Sequence, residues 1–228
     1  MSGQGLGWGI RAVLIGGFAA LLVTASVLLP AEATALRRSD ETRLISDLLS
    51  GTPVQPGRGQ YTVRRQIAGC FAALDQAAGP LFTMEARREL LSGCDALAAR
   101  RLERVPSHAA AHQLRAEAMM AQGQVAQALD ALLSSEVLAP NTAWLDQRRV
   151  VLLARLQPAP ETGRQLFDRA LVRLASTPET RLWLARGYTR DPAMRAAISQ
   201  SAATIPASDA ERLIIEIRRL DAAMARGE

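Results

Sequence analysis

Apolar residues recur every three or four positions along the chain from Tyr61 onward, in blocks that end at Pro, Gly or a residue that caps helices. This periodicity is typical of amphipathic α-helices. No stretch alternates apolar and polar residues for long enough to predict a strand. The pattern therefore predicts an all-α fold, with helices at 62–78, 83–104, 107–122, 124–138, 141–156, 161–175, 179–188, 192–203 and 208–225.

A shorter amphipathic helix is predicted ahead of these blocks, at residues 39–50. It is followed by a cluster of Gly and Pro residues that breaks regular structure, so we interpret residues 51–60 as a linker.

Three helix starts carry a specific capping signal. Thr177 and Asp191 each precede a proline, whose missing N–H costs nothing in the first turn of a helix. Ser208 is followed three residues later by Glu211, which predicts a capping box.

The N-terminal region contains one long apolar run, Ala12 to Ala31, in which no residue is charged. As a helix this run would be about 30 Å long, which matches the hydrocarbon core of one bilayer. We predict a transmembrane anchor at 1–33, a juxtamembrane helix and linker at 34–60, and a helical domain at 61–228.

A cleaved signal peptide is the alternative for this run. Ala31-Glu32-Ala33 and Ala33-Thr34-Ala35 both resemble the small-x-small pattern of cleavage sites. The apolar part of a signal peptide is shorter, about 7 to 15 residues, so we favour an uncleaved anchor.

Two observations conflict over the orientation of this anchor. Arg11 precedes the run, whereas Arg37, Arg38 and Arg43 follow it, and this charge count places the body in the cytoplasm.

The cysteines favour the opposite orientation. Cys70 and Cys94 lie on neighbouring predicted helices, at similar distances from the turn at Gly79-Pro80, which brings them close to disulfide range. The alternative is two inert buried thiols. Because a disulfide persists in an oxidising compartment, we expect a single-pass protein of the bacterial inner membrane with a periplasmic body.

The spacing of the helix ends indicates a repeat. Pro106 and Pro140 are 34 residues apart and enclose two predicted helices that meet at Gly123, with Ala128 and Leu132 in the second helix. This arrangement resembles the tetratricopeptide-repeat family, whose 34-residue units carry a small and a large residue four apart in the second helix and a proline at the end.

Two further units resemble the family less closely. The second unit ends at Pro178, is longer than the first, and has Leu166 and Ala170 in swapped order of size. The third unit starts at Trp183 and has Arg186 where the family's Trp-x2-Leu-Gly arrangement has Leu. It is shorter than the others and ends at Pro206. An irregular helical array is the alternative to a repeat fold.

The resemblance implies a helical-hairpin solenoid after the transmembrane helix, capped by the hairpin at 62–104 and by helix 208–225. It also implies a concave groove that binds a protein and is lined by the first helix of each pair. For Trp144 the alternative role is packing between helices. The projected groove residues are Gln113, Glu117, Met120, Trp144, Gln147, Val151, Arg155, Arg181 and Tyr188.

Composition argues against a nucleic-acid partner. All 27 basic residues are Arg, and the net charge is +5. The six Arg-Arg pairs are spread over many predicted helices and interleaved with Asp and Glu, which is typical of solvated helix faces.

The residues also give no sign of catalysis. His108 and His112 have the spacing of two zinc ligands on a helix, but no third ligand is near them in sequence, and the Glu of zinc proteases is absent. Phosphate-binding loops and nucleophile elbows are missing as well. We therefore predict a non-enzyme without a metal, a cofactor or a small-molecule substrate.

These inferences combine into a functional hypothesis. We expect a membrane-tethered scaffold or assembly chaperone that binds a protein of the bacterial cell envelope, held in the membrane through residues 12–31. The alternative is an accessory or regulatory subunit of cell-surface polysaccharide synthesis or export.

Overall fold

The structure, a computed structural model, describes residues 5–80, 82–156 and 158–226, without the side chains of 5–12, 14, 15 and 27. Arg11, which entered the charge count, lies outside the described side chains. The structure is 81% helical, and the described residues contain no strand. This confirms the all-α prediction.

The described part of the chain forms helices that follow the predicted blocks to within a few residues at either end. They are α1 (Gly5–Arg37), α2 (Glu41–Leu49), α3 (Gln60–Ala77), α4 (Met84–Arg104), α5 (Ala109–Ala121), α6 (Val125–Leu138), α7 (Ala143–Ala154), α8 (Glu161–Ser176), α9 (Pro178–Arg190), α10 (Pro192–Ser201) and α11 (Ala207–Ala225), with a 3₁₀ turn at Ala202–Thr204.

The predicted caps differ in outcome. Asp191 caps α10 as predicted, because its Oδ1 accepts hydrogen bonds from the backbone N–H groups of Ala193 and Met194. Thr177 makes no side-chain cap and instead contacts the hydroxyl of Thr180. The capping box at Ser208 was wrong, since α11 begins one residue earlier, at Ala207.

Backbone contacts divide the chain into two compact units, Met1–Arg100 and Arg101–Glu228. The division falls inside α4, whereas the sequence predicted a helical domain that starts at residue 61. We describe the two units separately.

In the N-terminal unit, the short amphipathic helix α2 packs against α3. Leu44 and Leu48 form its buried face. Leu44 fits over Gly69 of α3, where an added Cβ would lie 2.7 Å from Leu44 Cδ2. The absence of a side chain at Gly69 therefore sets how closely α2 approaches α3.

The predicted linker is non-helical up to Gly59, but it is packed onto the unit. Val54 and Gly57 are buried. The side chain of Gln66 accepts a hydrogen bond from the Gly57 N–H at 2.8 Å and donates one to the Gln55 carbonyl at 2.9 Å. These bonds satisfy backbone groups that have no partner in a helix.

Helix α1 contains a stretch, Gly16–Arg37, that is long and apolar enough to cross a membrane. The helix continues through Pro30, past the predicted end of the span. Beyond it, the carboxylate of Glu32 accepts hydrogen bonds from the backbone N–H groups of Arg58 at 2.7 Å and Gly59 at 3.0 Å. The end of α1 is thereby bonded to the start of α3.

A disulfide joins α3 to α4, as predicted. It links Cys70 and Cys94, whose Cα atoms are 5.7 Å apart and whose side chains are fully buried. The described residues contain no free cysteine.

In the C-terminal unit, α5 packs against α6 and α7 packs against α8, each pair joined by a short connection. Gly123 makes the first of these turns with φ +78°, a conformation that favours glycine. Helix α9 contacts α8, α10 and α11. One buried apolar cluster runs from Ala116 of α5 to Leu213 of α11 and holds these helices together.

Replacing Ala128 with Leu tests the packing of α5 on α6. Ala128 is fully buried, so the larger side chain should overpack the helix pair and lower the free energy of unfolding by about 1 to 3 kcal/mol. Ala126 is exposed on the same helix, and Ala126→Leu is the matched control. Denaturant unfolding measures both variants, and equal stability for the two would contradict the packing described above.

Candidate protein-interaction surface

The nine projected groove residues separate into an accessible and a buried group. Gln113, Glu117 and Arg181 are buried. The remaining six are exposed or half-buried: Met120, Trp144, Gln147, Val151, Arg155 and Tyr188.

Four accessible residues form a continuous stripe along α7. Trp144, Gln147, Val151 and Arg155 follow one another at intervals of three or four positions, which places them on one helix face. Trp144 is 46% exposed, and the Arg155 side chain is 61% exposed. We call these four residues the α7 stripe. It combines a large aromatic with a guanidinium, the side chains that contribute most to binding energy at protein interfaces.

The α5 positions are occupied by contacts inside the unit. Arg148 of α7 donates two hydrogen bonds to the Glu117 carboxylate, from Nε at 2.8 Å and from Nη2 at 2.6 Å. Gln113 donates a further bond to Glu117 Oε1 at 2.9 Å. The Arg148 bonds join the first helices of two successive pairs, and the Gln113 bond, within α5, holds the Glu117 carboxylate that receives them.

The α9 positions have local partners as well. Arg181 donates to the carbonyl of Ala175 at 2.8 Å and to that of Ser176 at 3.1 Å, and so satisfies the C-terminal end of α8. The guanidinium of Arg195 lies over the ring of Tyr188, with its Cζ atom 5.7 Å from the ring centroid.

A group of charged residues that the sequence did not predict lies between α6, α7 and α8, with Glu136, Asp146 and Arg149 buried and Arg169 at its exposed edge. Arg149 is fully buried and donates to Asp146 at 2.7 Å and to Ser135 at 2.9 Å. Arg173 bonds Asp146 through Nε at 2.9 Å and through Nη2 at 2.8 Å, and its Nη2 also reaches Glu136 at 3.1 Å. With Arg169, which bonds Glu136, these residues form the charge cluster: Glu136, Asp146, Arg149, Arg169 and Arg173.

The titration of these side chains reflects their mutual contacts. Burial disfavours the charged form of Glu136, but the hydrogen bonds and charges of Arg169 and Arg173 outweigh it and lower the pKa of this carboxyl. The hydrogen bond to Asp146 is the main reason that the pKa of Arg173 is raised. Burial lowers the pKa of Arg149, against the opposing influence of Asp146.

One signal in the sequence could have indicated the cluster. Arg149 stands midway between Leu145 and Leu153, four residues from each, on the buried stripe of α7. An arginine at a position that helical periodicity assigns to the core needs a buried carboxylate partner, and Asp146 lies one turn away.

The histidines are bonded to nearby backbone groups. Nδ1 of His108 accepts the Ala111 N–H at 3.2 Å and caps α5, and Nε2 of His112 lies 2.8 Å from the Pro106 carbonyl. The described residues contain no group of three or more potential metal ligands.

Comparison with known proteins adds no identification. No family model, curated protein or solved structure matches this chain.

Acidification should weaken the cap at His108. Its pKa is lowered because burial disfavours the imidazolium, and the charges of Arg101 and His112 act in the same direction. Protonation of Nδ1 would also remove its hydrogen bond from the Ala111 N–H, which would keep only the His108 carbonyl as acceptor. The stabilisation is therefore complete above the pKa of an unfolded His, about 6.5, and is lost as pH falls below it.

Thermal melting between about pH 7.5 and 5.5 measures this effect. The variant His108→Asn keeps a side-chain acceptor at the cap but does not titrate in this range, so its stability should change less with pH than that of the wild type. His112 is present in both proteins, so its own titration does not account for a difference between their pH dependences. Equal pH dependence of the two proteins would rule out the cap at His108 as its source.

Proposed function

We propose that this protein is a membrane-tethered scaffold or assembly chaperone that binds another protein of the bacterial cell envelope and catalyses no reaction. The α7 stripe carries the proposal. It presents Trp144 and Arg155 to solvent, while Val151 of the stripe packs against the apolar cluster and the buried side of the helix is held by that cluster and the charge cluster. A rigid helix with an exposed aromatic and an exposed guanidinium suits a protein partner.

The array in which α7 lies supports the same proposal. Helices α5 to α8 form two pairs, and ion pairs connect one pair to the next: Glu117 with Arg148, and Glu136 with Arg169. Successive helix pairs of about this length are the plan of tetratricopeptide-like arrays, which bind proteins through the first helices. We therefore propose a tetratricopeptide-like arrangement, with α7 as the helix that binds.

Location in the envelope is supported by two features of the N-terminal unit. The apolar stretch in α1 suits a bilayer span, and the disulfide between Cys70 and Cys94 suits an oxidising compartment. We propose a single-pass inner-membrane protein with a periplasmic body.

The contacts of Glu32 favour retention of the anchor. Cleavage after Ala33 or Ala35 would remove Glu32 and leave the N–H groups of Arg58 and Gly59 without the acceptor that they have in the folded chain. An uncleaved α1 keeps these bonds.

Site-specific photocrosslinking in intact membranes tests the proposal. A photoreactive amino acid in place of Gln147, within the α7 stripe, should give a defined crosslinked protein. The same amino acid in place of Gln200, exposed on α10, is the control. The membranes are first washed at alkaline pH, and the full-length chain should stay in the pellet.

The double variant Trp144→Ala, Arg155→Glu should abolish this crosslink while circular dichroism and thermal melting remain those of a folded protein. The half-exposed Trp144 makes a large loss of stability unexpected, because the costly truncations are those of buried tryptophans. A folded double variant that captures the same partner with the same yield would refute the role of the α7 stripe. Release of a soluble form starting near Thr34 or Leu36 would refute the anchor.

A further inference from the structure

The start of α3 lies beside the point where the apolar run of α1 ends. Glu32 directly follows the uncharged residues 12–31, and its carboxylate accepts the N–H groups of Arg58 at 2.7 Å and Gly59 at 3.0 Å. An added Cβ at Gly59 would lie 2.7 Å from Glu32 Oε1, so the absence of a side chain there gives the carboxylate room. With α1 in the bilayer, as proposed above and as this inference requires, the first turn of α3 lies at the level of the lipid headgroups.

The exposed side of this end of α3 carries arginine and tyrosine. Tyr61, Arg64 and Arg65 are three and four positions apart on one side of the helix, and Arg58 lies just before the helix begins. All four are exposed. Tyr61 is 64% exposed, and the guanidinium of Arg65 lies over its ring, with Cζ 5.9 Å from the ring centroid. We call these four residues the basic face.

Few carboxylates oppose the basic face. Glu32 is engaged with the backbone N–H groups, and Asp40 lies 3.9 Å from Arg65 Nη2. The other two arginines of the face form no salt bridge among the residues that the structure describes. The sequence has no acidic residue at all from 48 to 74. The basic face therefore carries an excess of positive charge.

An anionic lipid surface suits both the composition and the location of this face. A guanidinium donates parallel hydrogen bonds to a phosphate group, and basic residues close to a bilayer are attracted to anionic lipids. Tyrosine is enriched at the headgroup level because its ring is apolar and its hydroxyl is polar. The contact of Glu32 with the start of α3 makes lipid phosphate the anion closest to these side chains.

We propose that the basic face binds the headgroups of anionic phospholipids in the leaflet from which α1 emerges. Helix α1 anchors the chain, and the basic face holds the N-terminal unit against the bilayer surface. Because the lipid contact is made by α3, it is a second attachment to the membrane, separate from the apolar span. It does not depend on the α7 stripe or on the identity of a protein partner.

Photocrosslinking of the full-length protein to lipid tests this contact. A photoreactive amino acid replaces Gln60, which is exposed in the first turn of α3, and the protein is reconstituted into phosphatidylcholine vesicles with a minor share of phosphatidylglycerol. Mass spectrometry of the lipid adducts should find phosphatidylglycerol well above its share in the vesicle. Higher salt should reduce this enrichment, because the attraction to exposed charges is screened.

A matched position tests whether the enrichment is local to the basic face. Glu89 is exposed on α4, close to the turn that joins α3 to α4 and therefore at the other end of α3. The same photoreactive amino acid at this position should give no adducts enriched in phosphatidylglycerol.

The variant Arg64→Gln removes one charge from the basic face. It should lower the enrichment of phosphatidylglycerol about fivefold, since one basic residue near an anionic surface contributes about 1 kcal/mol. Arg88→Gln removes the same charge from an exposed position of α4 and should leave the enrichment unchanged. Circular dichroism checks that both variants are folded.

Flotation of the vesicles after an alkaline wash reports on the anchor separately. Protein that floats but forms adducts in proportion to the vesicle composition, or with equal enrichment in wild type and Arg64→Gln, would overturn the role of the basic face and leave the anchor intact. A crosslink from position 60 to a second chain in place of lipid would overturn it as well. Protein that does not float would refute the anchor, and the lipid contact with it.

Discussion

The buried guanidinium of Arg149 is the constraint on which the C-terminal unit depends. A charged group with no exposed surface must receive its hydrogen-bond partners from the protein, and here they come from Asp146 of its own helix and Ser135 of α6. Asp146 also binds Arg173 of α8. Because each bond requires a particular distance and direction, these bonds tie α6 and α8 to α7 through Arg149 and Asp146, although Nε of Arg149 has no hydrogen-bond partner among the described residues.

Ion pairs between an arginine and a carboxylate also join the other helices of the C-terminal unit. Glu117 and Arg148 join α5 to α7, and Glu136 and Arg169 join α6 to α8. The partners are separated by 31 and 33 residues in sequence, about one helix pair, so each bond ties one pair to the next. Arg suits this role better than Lys, since its planar guanidinium donates two parallel hydrogen bonds to one carboxylate. The lysine-free composition is consistent with this use.

Local features of the sequence were sufficient to predict the helices, the turn at Gly123 and the disulfide between Cys70 and Cys94. Each depends on periodicity, on a turn or on a short chain segment, all of which are visible in a single sequence. The charge cluster was not predicted, because Glu136 and Arg173 meet only when α6 packs against α8.

The projected groove shows the same limit. The family resemblance projected Trp144, Gln147, Val151 and Arg155 onto α7, but it could not show that Arg148 reaches Glu117 and holds it inside the unit. The apolar stripe of α7, with Arg149 at its centre, was the one local sign of a buried ion pair. Whether a polar residue faces solvent or a partner helix depends on its neighbours in three dimensions.

Removing one charge without changing volume tests this account most directly. Asp146→Asn keeps the shape of the side chain but leaves Arg149 and Arg173 with one fewer carboxylate, so the free energy of unfolding in denaturant should fall by about 3 to 5 kcal/mol. Asp130→Asn makes the same change at an exposed position of α6 and should alter stability by less than about 0.5 kcal/mol. Equal stability of the two variants would contradict the claim that the buried charges fix the packing of α6, α7 and α8.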